Sequence, residues 1–289
     1  MSRSSATAPT SDRAHFTPRS LARLASIAVL GALLFAPTTG VAESSLFLEI
    51  GAGLEAIGAT TFDQAGQAIG RSDFEAWTED DGSRLMRVTM RTDAGGQNVS
   101  QALLAPVAGG LAGAPGTAAE TLRVVEERSQ STTADGKTLP LLVIDHRAGR
   151  VSCYDAGETE SQGRHVAIEG DDRVVNVPMQ LFFLPLARGE VDAVRFQIAA
   201  CEDGPTLYDM IAVRGDTRTK RGRRVIEVEY GPDFGKAVAW LAARLLPSFS
   251  FWFDADSGAY LGHRMPLHRK GPEITLVRQG LTPPELGIE

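Results

Sequence analysis

The chain has 289 residues, with 29 Lys and Arg against 36 Asp and Glu, and a formal net charge of −7 at pH 7. An acidic chain is poorly suited to bind nucleic-acid phosphates or anionic lipid headgroups, because both require a positive surface. We therefore expect no nucleic-acid partner and interpret the acidity as a contribution to solubility.

The first 42 residues have the pattern of a secretory signal peptide. Arginines precede an apolar run, Leu24–Ala36, which is followed by Pro37 and by small residues up to Ala42. The run is shorter than the roughly 20 residues that span a bilayer. A buried N-terminal helix is the alternative, but the arginine-rich flank argues against it. We expect cleavage near Ala42 and a soluble periplasmic chain that starts near Glu43, with no stable membrane span.

The predicted mature chain is long enough for one large β domain. Removing 42 of 289 residues leaves 247, and removing four Arg and one Asp leaves 25 basic and 35 acidic residues, a net charge of −10. A chain of this length can bury a sizeable core. We expect a signal peptide over 1–42, a single antiparallel β domain over 43–280 and a C-terminal tail over 281–289.

Both cysteines, Cys153 and Cys201, lie in the mature part. An even cysteine count in an exported chain favours a disulfide. Two cysteines alone do not complete a zinc site, and the chain has no Cys-x-x-Cys redox motif. We predict that these cysteines end neighbouring strands and form a disulfide; two separate buried thiols are the alternative.

Short extended segments separated by glycine turns dominate the mature chain. Pairs such as Asp81-Gly82 are typical of hairpins, since glycine supplies the positive φ of a tight turn. Apolar residues often alternate with polar ones, as Ile226 and Val228 do with Glu227 and Glu229, which indicates an antiparallel sheet with one solvated face. The predicted strands are 60–65, 68–79, 84–92, 97–105, 122–132, 138–146, 150–155, 191–201, 206–214, 223–230, 249–254, 260–266 and 273–278.

Two helices interrupt the predicted strands. The segment Met179–Ala187 is apolar on nearly all sides and contains Pro185, which predicts a buried plug. The segment Asp233–Leu246 begins at an acidic residue and stops before Pro247, as helix signals require. We predict a mainly β fold, a curved antiparallel sheet or half-barrel with one or two short helices packed on its concave face.

The remaining segments are predicted to be connections. Residues 106–119 have the composition of a flexible loop, and residues 158–172 form a long connection or a weak hairpin. The basic run 217–224 is interpreted as a solvated hairpin loop, and the tail from Gly280 onward is expected to pack loosely.

No catalytic motif stands out in the sequence. The chain has neither a Gly-x-Ser-x-Gly elbow nor a Walker-type phosphate loop. His263 and His268 flank Met265-Pro266, and a metal site there would need a third ligand such as Asp254 or Asp256. We predict no catalytic residue, no metal and no cofactor.

Pairs of nearby carboxylates are a second kind of residue that could in principle carry out acid–base catalysis. Glu126 and Glu127 form one such pair, and Glu227 and Glu229 form another. The second pair falls on the polar face of a predicted strand, which favours a solvated role.

Aromatic residues in the second half are the feature with functional potential. If the sheet curls around the helices, these side chains form an ordinary core; if the curl leaves a gap, they line an apolar cavity for a lipid-like ligand. The candidate pocket residues are Phe182, Phe183, Phe196, Trp240, Phe249, Phe251 and Phe253.

The second half also resembles a known family. An apolar stretch bracketed by prolines, Val174–Glu190, leads into the hairpin Ala193–Val213 and the strand Arg223–Gly231. The closing segment Phe251–Gly280 joins a Trp-Phe-Asp strand end to two more strands. Together these segments resemble the domain-of-unknown-function 3108 family of exported bacterial proteins. The resemblance implies a curved periplasmic sheet, similar to the half-barrels of lipoprotein-sorting carriers that hold acyl chains, and it supplies no catalytic residues.

These patterns favour a non-enzymatic envelope protein that binds an apolar or amphipathic ligand, such as a lipid, in the mouth of the curved sheet. The main alternative is an adaptor or structural protein, whose exposed strand edges recruit another envelope protein. A hydrolase that uses His263 or His268 with an Asp is a third class, since dispersed sites leave no local motif.

Overall fold

The structure is a computed structural model. It describes residues 41–43, 47–50, 56–107, 120–159, 161–169, 174–201, 203–233, 249–266 and 273–288. Nearly all of the predicted signal peptide, most of the predicted loop 106–119, and all but the first residue of the predicted helix 233–246 lie outside the described residues.

Strands account for most of the described residues, and two short helices lie between the tenth and eleventh strands. The strands are β1 (Val41–Glu43), β2 (Phe47–Ile50), β3 (Ile57–Phe62), β4 (Ala68–Thr78), β5 (Arg84–Thr92), β6 (Gln97–Pro106), β7 (Glu120–Thr132), β8 (Leu141–Asp145), β9 (Arg150–Tyr154), β10 (Arg164–Ala167), β11 (Ala193–Ala200), β12 (Thr206–Lys220), β13 (Arg223–Pro232), β14 (Phe249–Asp254), β15 (Tyr260–Pro266) and β16 (Glu273–Arg278). The helices are α1 (Met179–Phe182) and α2 (Leu184–Arg188), and a 3-10 turn spans Pro283–Glu285.

The sheet consists of two antiparallel meanders joined edge to edge. Strands β3 to β10 follow one another in the first meander, and β11 to β16 do so in the second. The last strand, β16, pairs antiparallel with β3 and joins the two. At the periphery, β1 runs parallel to β11, and β2 pairs with the start of β7. The predicted fold class, a mainly β curved antiparallel sheet with short helices, is confirmed.

The hairpin between β12 and β13 is longer than the sequence predicted. Residues 217–224 were expected to form a loop, but β12 continues to Lys220 and turns back at Arg221-Gly222. A register shift between Arg214 and Thr217 lets pairing with β13 resume beyond the irregularity. The loop prediction was wrong because a bulge breaks the two-residue alternation without ending the strand.

Two other segments have more structure than expected. Part of the segment 158–172 forms β10, which pairs antiparallel with β9. Of the two predictions for this segment, the weak hairpin is therefore the one that the structure has. The tail beyond Gly280 does not pack loosely: Leu286 is 4% exposed, because it packs on the outer face of the sheet. The residues around Leu286 are Val225, Trp252, Leu261 and Val277.

The main core lies on the concave face and draws residues from both meanders. Alternate positions of β4 to β7 meet alternate positions of β11 to β14 there, as expected for a sheet with one buried face. The buried members are Phe74, Met86, Ala102, Leu104, Leu122, Val124, Val175, Val177, Phe182, Phe183, Leu186, Ala187, Val194, Phe196, Met210, Ala212, Val228, Tyr230, Phe251 and Phe253.

The helices α1 and α2 form the predicted plug. Pro185 occupies the first turn of α2, where its missing N–H costs no hydrogen bond. Gly189 ends α2 with a φ of 74°, a left-handed conformation that glycine adopts without steric cost. Because Phe182, Phe183 and Leu186 are all buried in the main core, both helices pack on the concave face.

A short connecting segment, Val174–Val177, bridges the two meanders. The Val175 N–H donates to Gln197 O at 2.8 Å, so the segment lies against β11. The Asn176 side chain extends this pairing, since its amide donates to Ala199 O at 2.8 Å and accepts from the Ala199 N–H at 2.9 Å. The segment thus behaves as an extra strand beside β11.

The opposite side of this segment is held by one carboxylate on β7. The backbone N–H groups of Asn176 and Val177 donate to Glu127 Oε2 at 2.8 and 2.6 Å, and His146 Nε2 lies 3.3 Å from Glu127 Oε1. Burial raises the pKa of Glu127 above its ordinary value, while the hydrogen bonds from His146 and the two amides oppose that rise. Glu127 therefore connects β7 to β11 through the connecting segment.

The predicted disulfide is confirmed. Cys153 and Cys201 are bonded, with their Cα atoms 5.6 Å apart. The strands that carry them are not the hydrogen-bonded neighbours that the sequence suggested, because β9 pairs with β8 and β10, whereas β11 pairs with β12 and β1. The bond instead ties β9 to the residue that follows β11, where a small core containing Leu142, Ile144 and Ala199 also forms. The sheet curves enough to bring the two meanders together at this point.

Removing the disulfide will lower the free energy of unfolding by about 4 kcal/mol, since the bond closes a loop with a sequence separation of 48. Urea unfolding of the double variant Cys153→Ala and Cys201→Ala measures the effect. Reduced wild-type protein is the control and should match the variant. An unchanged urea midpoint would contradict this account.

Replacing Glu127 with Ala will cost about 3 kcal/mol of folding stability, because two backbone N–H groups and a buried histidine lose their acceptor. Glu127→Gln is the matched control, since its amide oxygen still accepts from both N–H groups. We expect the Gln variant to lose less than half as much in urea unfolding. Equal losses would show that charge, not hydrogen bonding, holds the segment.

Candidate functional site

Six of the seven predicted pocket residues lie together on the concave face. Phe182 and Phe183 come from the plug, and the other four come from strands β11 and β14. The seventh, Trp240, lies outside the described residues. The six are Phe182, Phe183, Phe196, Phe249, Phe251 and Phe253, of which Phe249 is only partly buried.

Phe183 is the centre of this aromatic cluster. Its ring centroid lies 5.5 Å from that of Phe196, 5.6 Å from Tyr230 and 5.1 Å from Phe251. Aromatic rings at these separations are in direct contact. The plug therefore fills the concave face around Phe183, and any space for a ligand within the described residues must lie to one side of it.

A cavity of about 50 Å³ lies beside the aromatic cluster. Strand register explains its position: Ile57 pairs with Phe74 and Ala59 with Ser72, so alternate residues of β3 and β4 point to the same face. The cavity is lined by Ile57, Ala59, Ser72, Phe74, Val88, Gln180, Tyr260, His263 and Leu276.

Ser72 is the most unusual residue of the lining. Its side chain is 4% exposed, and its hydroxyl has no hydrogen-bond partner among the described residues. A buried hydroxyl normally has a partner, since leaving one unsatisfied costs about 1–3 kcal/mol. The hydroxyl oxygen itself has less than 1 Å² of accessible surface, so the cavity does not supply the missing partner.

Tyr260 and His263 form a polar pair in the same wall. Tyr260 Oη lies 2.5 Å from His263 Nδ1, and the His263 ring stacks on Phe251 with centroids 4.7 Å apart. Burial lowers the pKa of His263 to about 4 and raises that of Tyr260, so both groups are neutral near pH 7. A protonated phenol donates to Nδ1, which leaves the His263 Nε2–H as the free donor of the ring.

The lining carries no Asp, Glu, Lys or Arg. Across the described part of the chain, no group of three or more His, Cys, Asp or Glu converges as a metal site. Asp254, one possible third ligand, instead accepts from the Ser257 N–H at 2.9 Å and pairs with Arg223 at 3.3 Å. His268, the other histidine of that hypothesis, lies outside the described residues.

The adjacent carboxylates have structural roles in the described sheet. Glu126 pairs with Arg128 at 2.5 Å near the surface, whereas Glu127 holds the connecting segment. Glu227 pairs with Arg218 at 3.7 Å, and Glu229 is exposed, as their polar strand face predicted.

The sequence analysis missed the polar residues of the cavity. Ser72 and Gln180 carry no motif, and Tyr260 was not among the aromatic candidates. The available signal was the alternation of β4, in which a small polar residue shares the buried face with Phe74. That signal alone does not separate a cavity from a packed serine, since the difference depends on side chains from α1 and β15.

Comparisons with known proteins identify no family for this chain. No protein-family model matches the chain, and no curated protein does. The chain is similar to a β-barrel-like protein of a domain of unknown function, DUF1849, from Brucella abortus, with a TM-score of 0.41 and 11% identity over 77% of this chain and 94% of that one. It is also similar to the hypothetical lipoprotein YmcC from Escherichia coli K12, with a TM-score of 0.31 and 12% identity over 80% and 86% of the two chains. The resemblance to the 3108 family stays a prediction.

No helix within the described ranges is long and apolar enough to cross a membrane.

We predict that His263 lowers stability in mild acid. Its pKa is about 4 in the folded state against 6.5 ordinarily, so between these values the unfolded chain binds a proton that the folded chain does not. The folding stability that the neutral His263 contributes is fully present above pH 6.5. It falls by about 3 kcal/mol in total as the pH falls towards 4.

Urea midpoints at pH 7 and pH 4.5 should therefore fall further for wild type than for His263→Gln, which does not titrate. NMR titration of the His263 ring gives an independent check. A midpoint near 6.5 would contradict the burial argument.

Proposed function

We propose that this chain is an exported, non-enzymatic envelope protein that binds an apolar or amphipathic ligand, such as a lipid, in the mouth of its curved sheet. The periplasm is its proposed location, on the strength of the N-terminal sequence pattern together with the Cys153–Cys201 disulfide.

One observation carries the binding proposal: the cavity beside the plug. Its lining is mainly aliphatic and aromatic, with a few polar groups, which is the usual make-up of a small-molecule site. The cavity measures about 50 Å³, so a ligand would place only one end inside it.

Binding is favoured over catalysis by the state of the three described histidines that the structure places near a polar side chain. His165 Nδ1 lies 2.9 Å from Ser152 Oγ, but Ser152 is 1% exposed, so substrate does not reach its hydroxyl. His146 is sealed against Glu127 in the core, with side chains 1% and 2% exposed, where substrate does not reach. His263 bonds to Tyr260, and no carboxylate lines its cavity to orient or deprotonate it.

The adaptor alternative rests on a different observation. Among the described strands, β10 pairs with β9 alone, so its other edge is open to an added strand. This edge is four residues long and begins with Arg164 and His165, features that limit edge-to-edge association. The edge therefore carries less weight than the cavity.

Protein purified from its own periplasm should carry a ligand that native mass spectrometry detects as added mass. Ala59→Val will remove that mass, because the larger side chain fills the cavity and valine suits a strand. Ala76→Val, on β4 outside the cavity lining, is the matched control and should keep the ligand. Wild-type protein that purifies empty and binds no envelope lipid would end the proposal.

A further inference from the structure

We propose that the cavity beside α1 takes the hydrocarbon end of a narrow, unbranched chain and leaves the polar end of the ligand outside in water. The assignment rests on the proposed function, because it states which end of an apolar or amphipathic ligand the same cavity selects. Three properties of the lining support it: the absence of charge, the lack of accessible polar atoms and the small volume that the walls enclose.

The lining carries no charge near pH 7. None of the described residues around the cavity is Asp, Glu, Lys or Arg, and burial lowers the pKa of His263 to about 4. A carboxylate or an ammonium group that moved from water into such a site would lose its hydration without gaining a partner. The charged end of an amphipathic ligand therefore stays outside the cavity.

The lining also presents almost no polar surface to a neutral group. The Ser72 hydroxyl oxygen has an accessible surface below 1 Å², so a ligand in the cavity does not reach it. Tyr260 Oη and His263 Nδ1 lie 2.5 Å apart and are partners of each other. Aliphatic side chains such as those of Ile57 and Val88 form much of the remaining wall. A hydroxyl or an ester pushed inside would thus be buried without a hydrogen bond, whereas a hydrocarbon end has none to lose.

The volume fits the end of a narrow chain. A cavity of about 50 Å³ is one third of the roughly 150 Å³ cavity that admits benzene, so it holds only about two or three carbon atoms. An unbranched chain end meets that limit, but a ring or a tert-butyl group exceeds it. The cavity is partly open to solvent, so the rest of the chain can leave through the open side.

The walls are held in place by contacts that do not involve a ligand. His263 stacks on Phe251 with ring centroids 4.7 Å apart, and Phe251 contacts Phe183 at 5.1 Å. On the other side, Ala59 pairs with Ser72 in the register of β3 and β4. A wider chain end would have to displace packed side chains or paired strands, which is costly in a dense interior. The cavity therefore selects its ligand by the shape of the chain end and not by the head group.

Four probes test this assignment on wild-type protein: hexanol, its isomer whose chain ends in a tert-butyl group, α,ω-hexanediol and hexanoate. NMR titration follows the rings of Phe74 and Tyr260, which line the cavity. We expect the diol to bind about tenfold more weakly than hexanol, because its second hydroxyl would be buried without a partner. The tert-butyl isomer should also bind about tenfold more weakly, since it does not fit. Hexanoate should bind within about threefold of hexanol, because its head keeps its hydration.

Two variants and a control locate the binding. Ala59→Val should abolish hexanol binding, because the larger side chain fills the cavity. Ala76→Val, outside the lining, should leave the affinity unchanged. Ser72→Ala should leave it unchanged as well, since the hydroxyl does not reach the ligand. A weaker affinity in a folded Ser72→Ala variant would show that a polar end enters the cavity and would overturn the assignment.

The outcomes separate this assignment from the proposed function. If protein from the periplasm carries a ligand that Ala59→Val removes, but the diol or the tert-butyl isomer binds as tightly as hexanol, the hydrocarbon-end assignment alone is overturned. If that protein purifies empty, binds no envelope lipid and binds none of the four probes, both fail. The comparison of the four probes needs no variant, so it tests the assignment even if Ala59→Val does not fold.

Discussion

The contact on which the interior depends is the one between Glu127 and the backbone of Asn176 and Val177. It holds the connecting segment against β7, while Asn176 holds the same segment against β11 through Ala199. Helix α1 begins two residues after Val177, so the carboxylate also fixes where the plug enters the concave face. A buried carboxylate is costly unless every oxygen is used, and here each oxygen has a partner. The hydrogen bonds from His146 and the two amides offset the cost of burying Glu127. Through them one side chain joins the two meanders and positions a helix.

The interior contains satisfied and unsatisfied polar groups, and their difference indicates their roles. Glu127 and Asn176 bond to backbone groups that would otherwise be orphaned, which is the usual reason to keep polar residues in a core. Ser72 has no such partner, although the residue belongs to the lining of the cavity. The first arrangement stabilises the fold by itself. The second leaves a hydroxyl unpaired beside a cavity. The cavity, and not the fully buried histidine–glutamate pair, is the binding candidate because it offers space.

The local pattern of the sequence was enough to predict most strands, because alternation and glycine turns act over a few residues. It failed where a bulge shifted the phase, at Arg214–Thr217, and where an outer-face contact ordered the tail through Leu286. The Cys153–Cys201 bond was predicted from the expected export and the even cysteine count. The contact between strands that are distant in the sheet was not predicted, since it depends on sheet curvature. The role of Glu127 could not be predicted from local sequence either. Glu126 and Glu127 are equivalent in sequence, and only the contact between β7 and the connecting segment distinguishes them.

The aromatic residues of the concave face form a packed core in one region, and a cavity lies in the next. Around Phe183 the rings contact one another, and the plug supplies the volume that a ligand would have filled. Towards β3 and β15 the side chains become smaller or polar, as at Ala59 and Ser72, and a cavity remains. Phe251 lies between the two regions, since it contacts Phe183 on one side and stacks on His263, a residue of the cavity lining, on the other. The packed aromatic cluster thus does not line the cavity but supports its wall from behind, through His263.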